Sequence, residues 1–141
     1  MDGVSTWFMN SLEARRLTGI DDPISAGLKI FGNVNVEELV VTLGPGGAVS
    51  FTKDGVKLVE AFKVAPIDTT GAGDVFAASY AFAKLIGLDR VSRLIFANAA
   101  ASIKVTRRGA RAGPSFNEVL EFLRTVGYGD LAGEIRGILG Q

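Results

Sequence analysis

The chain has 141 residues, 15 basic and 15 acidic side chains, a formal net charge of zero, no cysteine and no histidine. Those absences exclude a disulfide framework, a thiolate nucleophile, a cysteine zinc site, a Ser-His-Asp triad and any imidazole base or ligand. Catalysis, if present, falls to carboxylates, hydroxyls, amines, backbone N–H groups or a bound cation, and the neutral balance argues against nucleic-acid binding driven by charge.

Glycine is in excess, with 18 of 141 residues, about 13%, against a usual level of about 7%. The length suits one domain, burying roughly 70% of its unfolded surface. The start, Met1-Asp2-Gly3, has neither the basic nor the apolar segment of a signal peptide. The longest apolar stretch, Val75 to Ala83, contains Ser79 and Tyr80 and ends at Lys84, well short of the roughly 18 residues that span a bilayer. The expectation is a soluble, cytoplasmic protein without membrane or nucleic-acid partners.

In chain order, Thr6-Trp7-Phe8-Met9 reads as a short strand. Asn10 opens a helical pattern with Leu12, Ala14 and Leu17 on one face and Gly19 as its stop. Asp22-Pro23 reads as the N-cap and first residue of a second helix running to about Gly32. Leu39 to Leu43 is a compact apolar strand of the kind buried on both faces of a parallel sheet. The turn Gly44-Pro45-Gly46-Gly47 follows, then strands Ala48 to Thr52 and Val56 to Phe62, joined through Lys53-Asp54-Gly55 with its Asp-Gly hairpin signal. A glycine-rich loop, 68–74, leads into an alanine-rich helix from Ala72 to about Ile86. A second helix spans Asp89 to Val105, small on the face of Ala97, Ala100 and Ala101. Ser115 with Glu118 is a capping box for the next helix, and a last one runs from Asp130 to Leu139. Strands followed by helices through tight glycine turns give an α/β layered fold.

Four stretches can carry chemistry. The strongest is Asp68-Thr69-Thr70-Gly71-Ala72-Gly73-Asp74, where a loop becomes a helix N-terminus. The N–H groups of Gly71, Ala72 and Gly73 would form an anion hole at the positive end of the helix dipole. Asp74, in the first turn, could take a proton from a substrate hydroxyl while the hole holds a transferring phosphoryl group. The plainer reading of Asp74 is an acid favoured by the dipole, worth roughly 0.3–1 kcal/mol. A Walker loop is excluded because the chain has no Gly-Lys pair, and a Rossmann fingerprint fails at Phe76. Asn10-Ser11-Leu12-Glu13 is either a helix cap or a polar pair ordering a magnesium–phosphate complex. Thr42-Leu43-Gly44-Pro45-Gly46-Gly47 is either a meander turn or a backbone against which a nucleotide lies. Lys104, Arg107, Arg108 and Arg111, with no acid among them, are either a solvated helix end or a basic rim beside a nucleotide.

Together and in this order, these stretches resemble the C-terminal half of the ribokinase-like (PfkB) family of sugar and nucleoside kinases, as does Ala97-Asn98-Ala99-Ala100-Ala101 leading into Val105-Thr106-Arg107-Arg108-Gly109-Ala110. The resemblance implies a three-layer α/β/α sandwich, with residues 1–141 as a single partial domain: a β-meander followed by helices. It implies ATP-dependent transfer of a phosphoryl group to a sugar or nucleoside hydroxyl. Asp74 falls on the family's catalytic base and Gly71, Ala72 and Gly73 on its anion hole. Asn10 and Glu13 fall on the motif that organises Mg²⁺ and phosphates, Thr42, Gly44 and Gly47 on the nucleotide loop, and Asn98 beside the adenosine. A monovalent cation such as K⁺ is implied at Asp68 and at the backbone carbonyls of Thr70, Lys104, Arg107 and Gly109. There the spacing of Arg111-Ala112-Gly113-Pro114 before Ser115 departs from the family pattern. The family's first half, with most of the acceptor pocket, has no counterpart in the match. The strand Ser5 to Met9 would then present an open edge that invites self-association. Two other readings stay open: a nucleotide-binding half-module without catalysis, and an interaction protein completed by a second chain.

Overall fold

The computed structural model describes residues 6–109 and 113–140. Met1-Asp2-Gly3, Ser5 at the head of the expected first strand, and Ala110, Arg111 and Ala112, with Arg111 the last cation of the basic stretch, lie outside them. The chain divides into two compact units, one ending at Ala61 and the other beginning at Phe62.

The first unit is a sheet with two helices. Its elements are β1 (Thr6–Asn10), α1 (Ser11–Thr18), α2 (Pro23–Asn33), β2 (Glu38–Thr42), a 3₁₀ turn (Gly44–Gly46), β3 (Ala48–Thr52) and β4 (Gly55–Val59). The strand order is β1-β2-β3-β4. β1 and β2 run parallel, with Asn10 opposite Thr42, and the other two pairings are antiparallel. The crossover between the parallel pair is α1 and α2, each started by a side-chain cap. The Asn10 side chain accepts the Glu13 N–H at 2.8 Å, and Asp22 accepts that of Ser25 at 2.9 Å with Pro23 in the first turn. Gly19, at φ 74°, ends α1 by donating its N–H to Arg15 O.

The core of this unit joins Ala14, Ala26 and Ile30 of the helices to Leu39, Val41, Val49 and Phe51 of the sheet. Alternation explains the set, because Leu39 and Val41 share one face of β2 and pair with Phe51 and Val49 of β3. Gly27 lies against the Phe51 ring, where a Cβ would collide with it. Glu38 is also buried, at 2% exposure. Its carboxylate accepts from Ser50 Oγ at 2.6 Å and from Thr6 Oγ1 at 3.4 Å, linking three strands.

Two sequence expectations shift here. β4 stops at Val59, three residues before Phe62. Ala48 opposite Val59 is its last pair, and the preceding Gly47, at φ 104° and ψ −135°, has left the extended region. The hairpin turns on Lys53-Asp54. It is not type I′, because no described non-glycine residue has positive φ, and Gly55, at φ 117°, absorbs the strained conformation.

The second unit is helical: α3 (Ala72–Leu85), α4 (Arg90–Val105), α5 (Phe116–Thr125) and α6 (Gly129–Ile138). Asp89 caps α4, and Ser115 and Glu118 form the expected capping box of α5. Ala83, Ala97 and Ala99 are fully buried, and small side chains of this kind let α3 and α4 pack closely. Phe82, Phe96 and Phe116 bring α3, α4 and α5 together, with ring centroids 5.7–6.4 Å apart. Among the described residues no helix is long and apolar enough to cross a membrane.

Gly47 is the tightest backbone position in the sheet unit. An added Cβ would meet Val59 O, with Glu60 Cα at 2.7 Å and Ala61 N at 2.8 Å. Gly47→Ala is expected to cost at least ~2 kcal/mol, from the positive φ and the collision together. Gly44→Ala, at φ 59° but facing open space, is expected to cost about half that. Urea unfolding of both variants checks the ranking, and equal midpoints would contradict it.

Candidate functional site

The N-terminus of α3 is built from its approach segment. Ile67 and Asp68 donate their N–H groups to Val105 O, at 2.7 and 3.0 Å, tying the segment to the end of α4. Ala72 N–H then bonds Thr69 O at 3.2 Å, with Gly71 between them at φ 78°, ψ 1°. Those angles are those of the third residue of a type II turn, where a side chain is strained and glycine is not. No side chain caps α3. Among the described residues, the N–H groups of Gly71 and Gly73 have no protein acceptor. Gly73 opens onto space, since nothing lies within 4 Å of an added Cβ. Asp74 stands exposed in the first turn beside them. The expected trio of free donors is therefore corrected to a pair, because the turn that shapes the loop consumes the N–H of Ala72.

Asp68 and Lys104 hold this turn from inside. Asp68 Oδ1 accepts the Thr70 N–H at 2.9 Å, and its Oδ2 accepts the Gly109 N–H at 3.1 Å. Lys104 Nζ donates to the carbonyls of the same two residues, Thr70 at 2.6 Å and Gly109 at 2.8 Å. The lysine is fully buried. Hydrogen bonds from Thr70, side chain then backbone, and from the Gly109 N–H favour the ionised carboxylate of Asp68, with a smaller contribution from the Lys104 charge. Together they bring its pKa from 3.8 down to about 2.

The basic stretch is not an open rim. Lys104 is internal. Arg107 pairs with Glu118 and also donates to Gly113 O at 3.4 Å. That pairing, with the Ser115 N–H, lowers the Glu118 pKa to about 2. Arg108 is exposed. The carbonyl of Lys104, expected to face a cation, accepts the Arg107 N–H at 3.1 Å. The burial of Lys104 had a signal in the sequence, since 97, 100 and 104 fall on one helical face with Ala97 and Ala100. Asn98 is buried at 4% exposure in the middle of α4, between Ala97 and Ala99, and has a bonding partner within the fold.

In the sheet unit the other candidates cluster at the C-terminal ends of the parallel strands, where open α/β sheets place ligands. Register sets Asn10 beside Thr42, whose Oγ1 donates to Met9 O at 3.5 Å. Asn10 and Glu13 form a complete capping box, with Glu13 Oε1 accepting the Asn10 N–H at 2.9 Å. The box holds Glu13 at the surface, where a hard carboxylate oxygen suits Mg²⁺ bound through water. Gly44 faces open space, whereas Gly47 is packed against the strand-end backbone at Val59, Glu60 and Ala61.

Residues 1–116 match the family model described as pfkB family carbohydrate kinase. The chain is 36% identical over 119 residues to the ribokinase of Haemophilus influenzae, covering 81% of this chain and 39% of that protein. Its fold matches that of Arabidopsis thaliana ribokinase complexed with ribose and ATP, with a TM-score of 0.79 and 32% identity over 87% of this chain and 42% of that one. A putative ribokinase II from E. coli in complex with ATP and Mg²⁺ gives a TM-score of 0.76 and 30% identity, over 86% and 39% of the two chains. The expected ribokinase-like α/β fold is thus the observed one. The chain spans well under half the length of the relatives it matches.

The double acceptance at Asp68 can be tested in isolation. Asparagine offers one oxygen and one NH₂ where the carboxylate offers two oxygens, so Asp68→Asn is expected to keep one of the two backbone bonds and lose the other. Amide exchange at Thr70 or Gly109 should accelerate at least tenfold in the variant. In the native chain the folded pKa lies below the unfolded one. The contribution of Asp68 is therefore complete above pH 3.8 and disappears as pH falls through about 2. A carboxyl titration midpoint near 4, followed by NMR, would contradict the geometry.

Proposed function

Because the chain belongs to the pfkB family of carbohydrate kinases, we propose that it carries the phosphate-donor side and the catalytic base of an ATP-dependent sugar or nucleoside kinase. The observation that carries the proposal is the α3 N-terminus, where a type II turn leaves two donors without acceptors among the described residues and sets an exposed carboxylate beside them. Asp74 takes the proton from the acceptor hydroxyl as its oxygen bonds to the terminal phosphorus of ATP and the bond to the ADP oxygen breaks. The N–H groups of Gly71 and Gly73 meet the charge that develops on the transferring group, aided by the positive end of the α3 dipole.

Thr42, Gly44 and Gly47 form the nucleotide-facing edge of the sheet unit. The space beside Gly44 admits a ligand against the backbone, while Gly47 serves by closing the loop onto the end of β4. Asn10 and Glu13 hold Mg²⁺ and phosphate through water, and Mg²⁺ supplies charge neutralisation on the phosphates. Asn98 acts from within α4, shaping the nucleotide side rather than reaching out from an open face.

The test is phosphotransfer in the complete protein, with ATP and Mg²⁺, across a panel of sugars and nucleosides. Asp74→Asn is expected to lower kcat by about 10²–10⁴, while ATP affinity stays within about threefold. A rate within tenfold of the native enzyme would remove Asp74 from the role of base. Nucleotide binding without transfer to any acceptor would favour the non-catalytic module instead.

A further inference from the structure

The role assigned above to the α3 turn leaves the buried Lys104 ammonium unused. Each of the two loop segments it touches is gripped twice. Thr70 and Gly109 give their N–H groups to Asp68 and their carbonyls to Lys104 Nζ. Two carbonyl oxygens, with a carboxylate nearby, converging on one monovalent charge make a hard-oxygen donor set that also suits an ion such as K⁺. Asp68 and the carbonyls of Thr70 and Gly109 are also three of the positions where the sequence pointed to such an ion. The residues present do not fit it, because both carbonyls are already bonded to an ammonium at 2.6 and 2.8 Å. A third expected carbonyl, that of Lys104 itself, accepts the Arg107 N–H at 3.1 Å.

We propose that the Lys104 side chain stands in for a monovalent cation, so that the turn before α3 is held by a covalently attached charge and the protein neither binds nor responds to K⁺ at this position. A free ion occupies its site in proportion to its concentration, and the stability it lends varies accordingly. A tethered ammonium has no such dependence. Lys104 is thus a positioning residue: it fixes Thr70, and through Thr70 the turn that presents Gly71, Gly73 and Asp74. The inference rests on the proposed function only for its effect on nucleotide binding; its effect on the loop stands on geometry alone.

The test compares the complete native protein with Lys104→Ala and Lys104→Met in KCl, NH₄Cl, NaCl and tetramethylammonium chloride at equal ionic strength. The first readout is thermal unfolding, which requires neither ATP nor an acceptor; the second is Mg·ATP affinity. Native Tm and affinity are expected to be the same in K⁺ and tetramethylammonium, the affinity within twofold. Lys104→Ala, which vacates the ammonium position, is expected to bind Mg·ATP at least tenfold more weakly in tetramethylammonium. K⁺ or NH₄⁺ should restore most of that loss and raise its Tm, and tetramethylammonium should not. Lys104→Met, which fills the space without charge, is expected to show the loss without the recovery. A K⁺-dependent Tm or affinity in the native protein would overturn the proposal, as would an Ala variant indifferent to every salt or one weakened but not restored by K⁺ or NH₄⁺. If neither variant folds, crystals of the native protein soaked in RbCl decide: no anomalous peak between Thr70 and Gly109 supports the proposal, and a peak there overturns it. A native protein that binds no ATP would instead count against the kinase reading, leaving the Tm and rubidium results to judge the lysine.

Discussion

A buried positive charge at Lys104 and a carboxylate at Asp68 share the same two backbone segments, one taking the carbonyls and the other the N–H groups of Thr70 and Gly109. Burying an ammonium is costly unless it is paired and hydrogen-bonded, so the pair exists only if the loop before α3 and the turn after α4 come together. The consequence is local rigidity where a helix N-terminus would otherwise fray. The bonds from Ile67 and Asp68 to Val105 O extend the same attachment to the end of α4. What α3 offers a ligand, two donors and an exposed carboxylate, is therefore presented by a turn held on three sides.

The same economy appears in the sheet unit. Asn10 ends β1, caps α1 and sits opposite Thr42 in the parallel register. Helix cap and proposed ligand-facing position thus fall on one residue, and the structural and functional readings of Asn10-x-x-Glu13 do not compete. The capping box uses one Glu13 oxygen and sets the carboxylate at the surface. Gly47 divides differently: its glycine is required by the backbone of 59–61, whatever binds outside. The absence of histidine and cysteine is compatible with the proposed phosphotransfer. That chemistry asks mainly for positioning and charge stabilisation.

Local signals carried most of the fold. Gly19, Asp22-Pro23, Asp89 and the Ser115–Glu118 box mark helix ends by mechanisms confined to a few residues; α1, α2 and α4 begin and end within one or two residues of expectation, and α5 begins where its box placed it. What escaped depends on how particular backbone and side-chain groups are paired, most of them with partners distant in sequence. The fate of the Ala72 N–H depends on the turn closing at Thr69. The end of β4 depends on Gly47 across the hairpin. Glu38 looks like a polar residue ahead of an apolar strand until Ser50 and Thr6 are seen bonded to its carboxylate. Lys104 is the clearest case. In a last helical turn a lysine normally suits the dipole in solvent; the helical face shared with Ala97 and Ala100 hints at its burial, but its acceptors, carbonyls 34 positions back and 5 ahead, are not legible there.

In the proposed function the α3 turn presents the N–H groups of Gly71 and Gly73, but not that of Ala72, to a bound phosphate. The most direct measurement follows backbone amides by NMR while Mg²⁺ and a slowly hydrolysed ATP analogue are added. Downfield shifts are expected at Gly71 and Gly73, with Ala72 retaining its bond to Thr69 and moving little. Amide shifts confined to other segments, or an Ala72 shift as large as those of its two neighbours, would contradict that proposal.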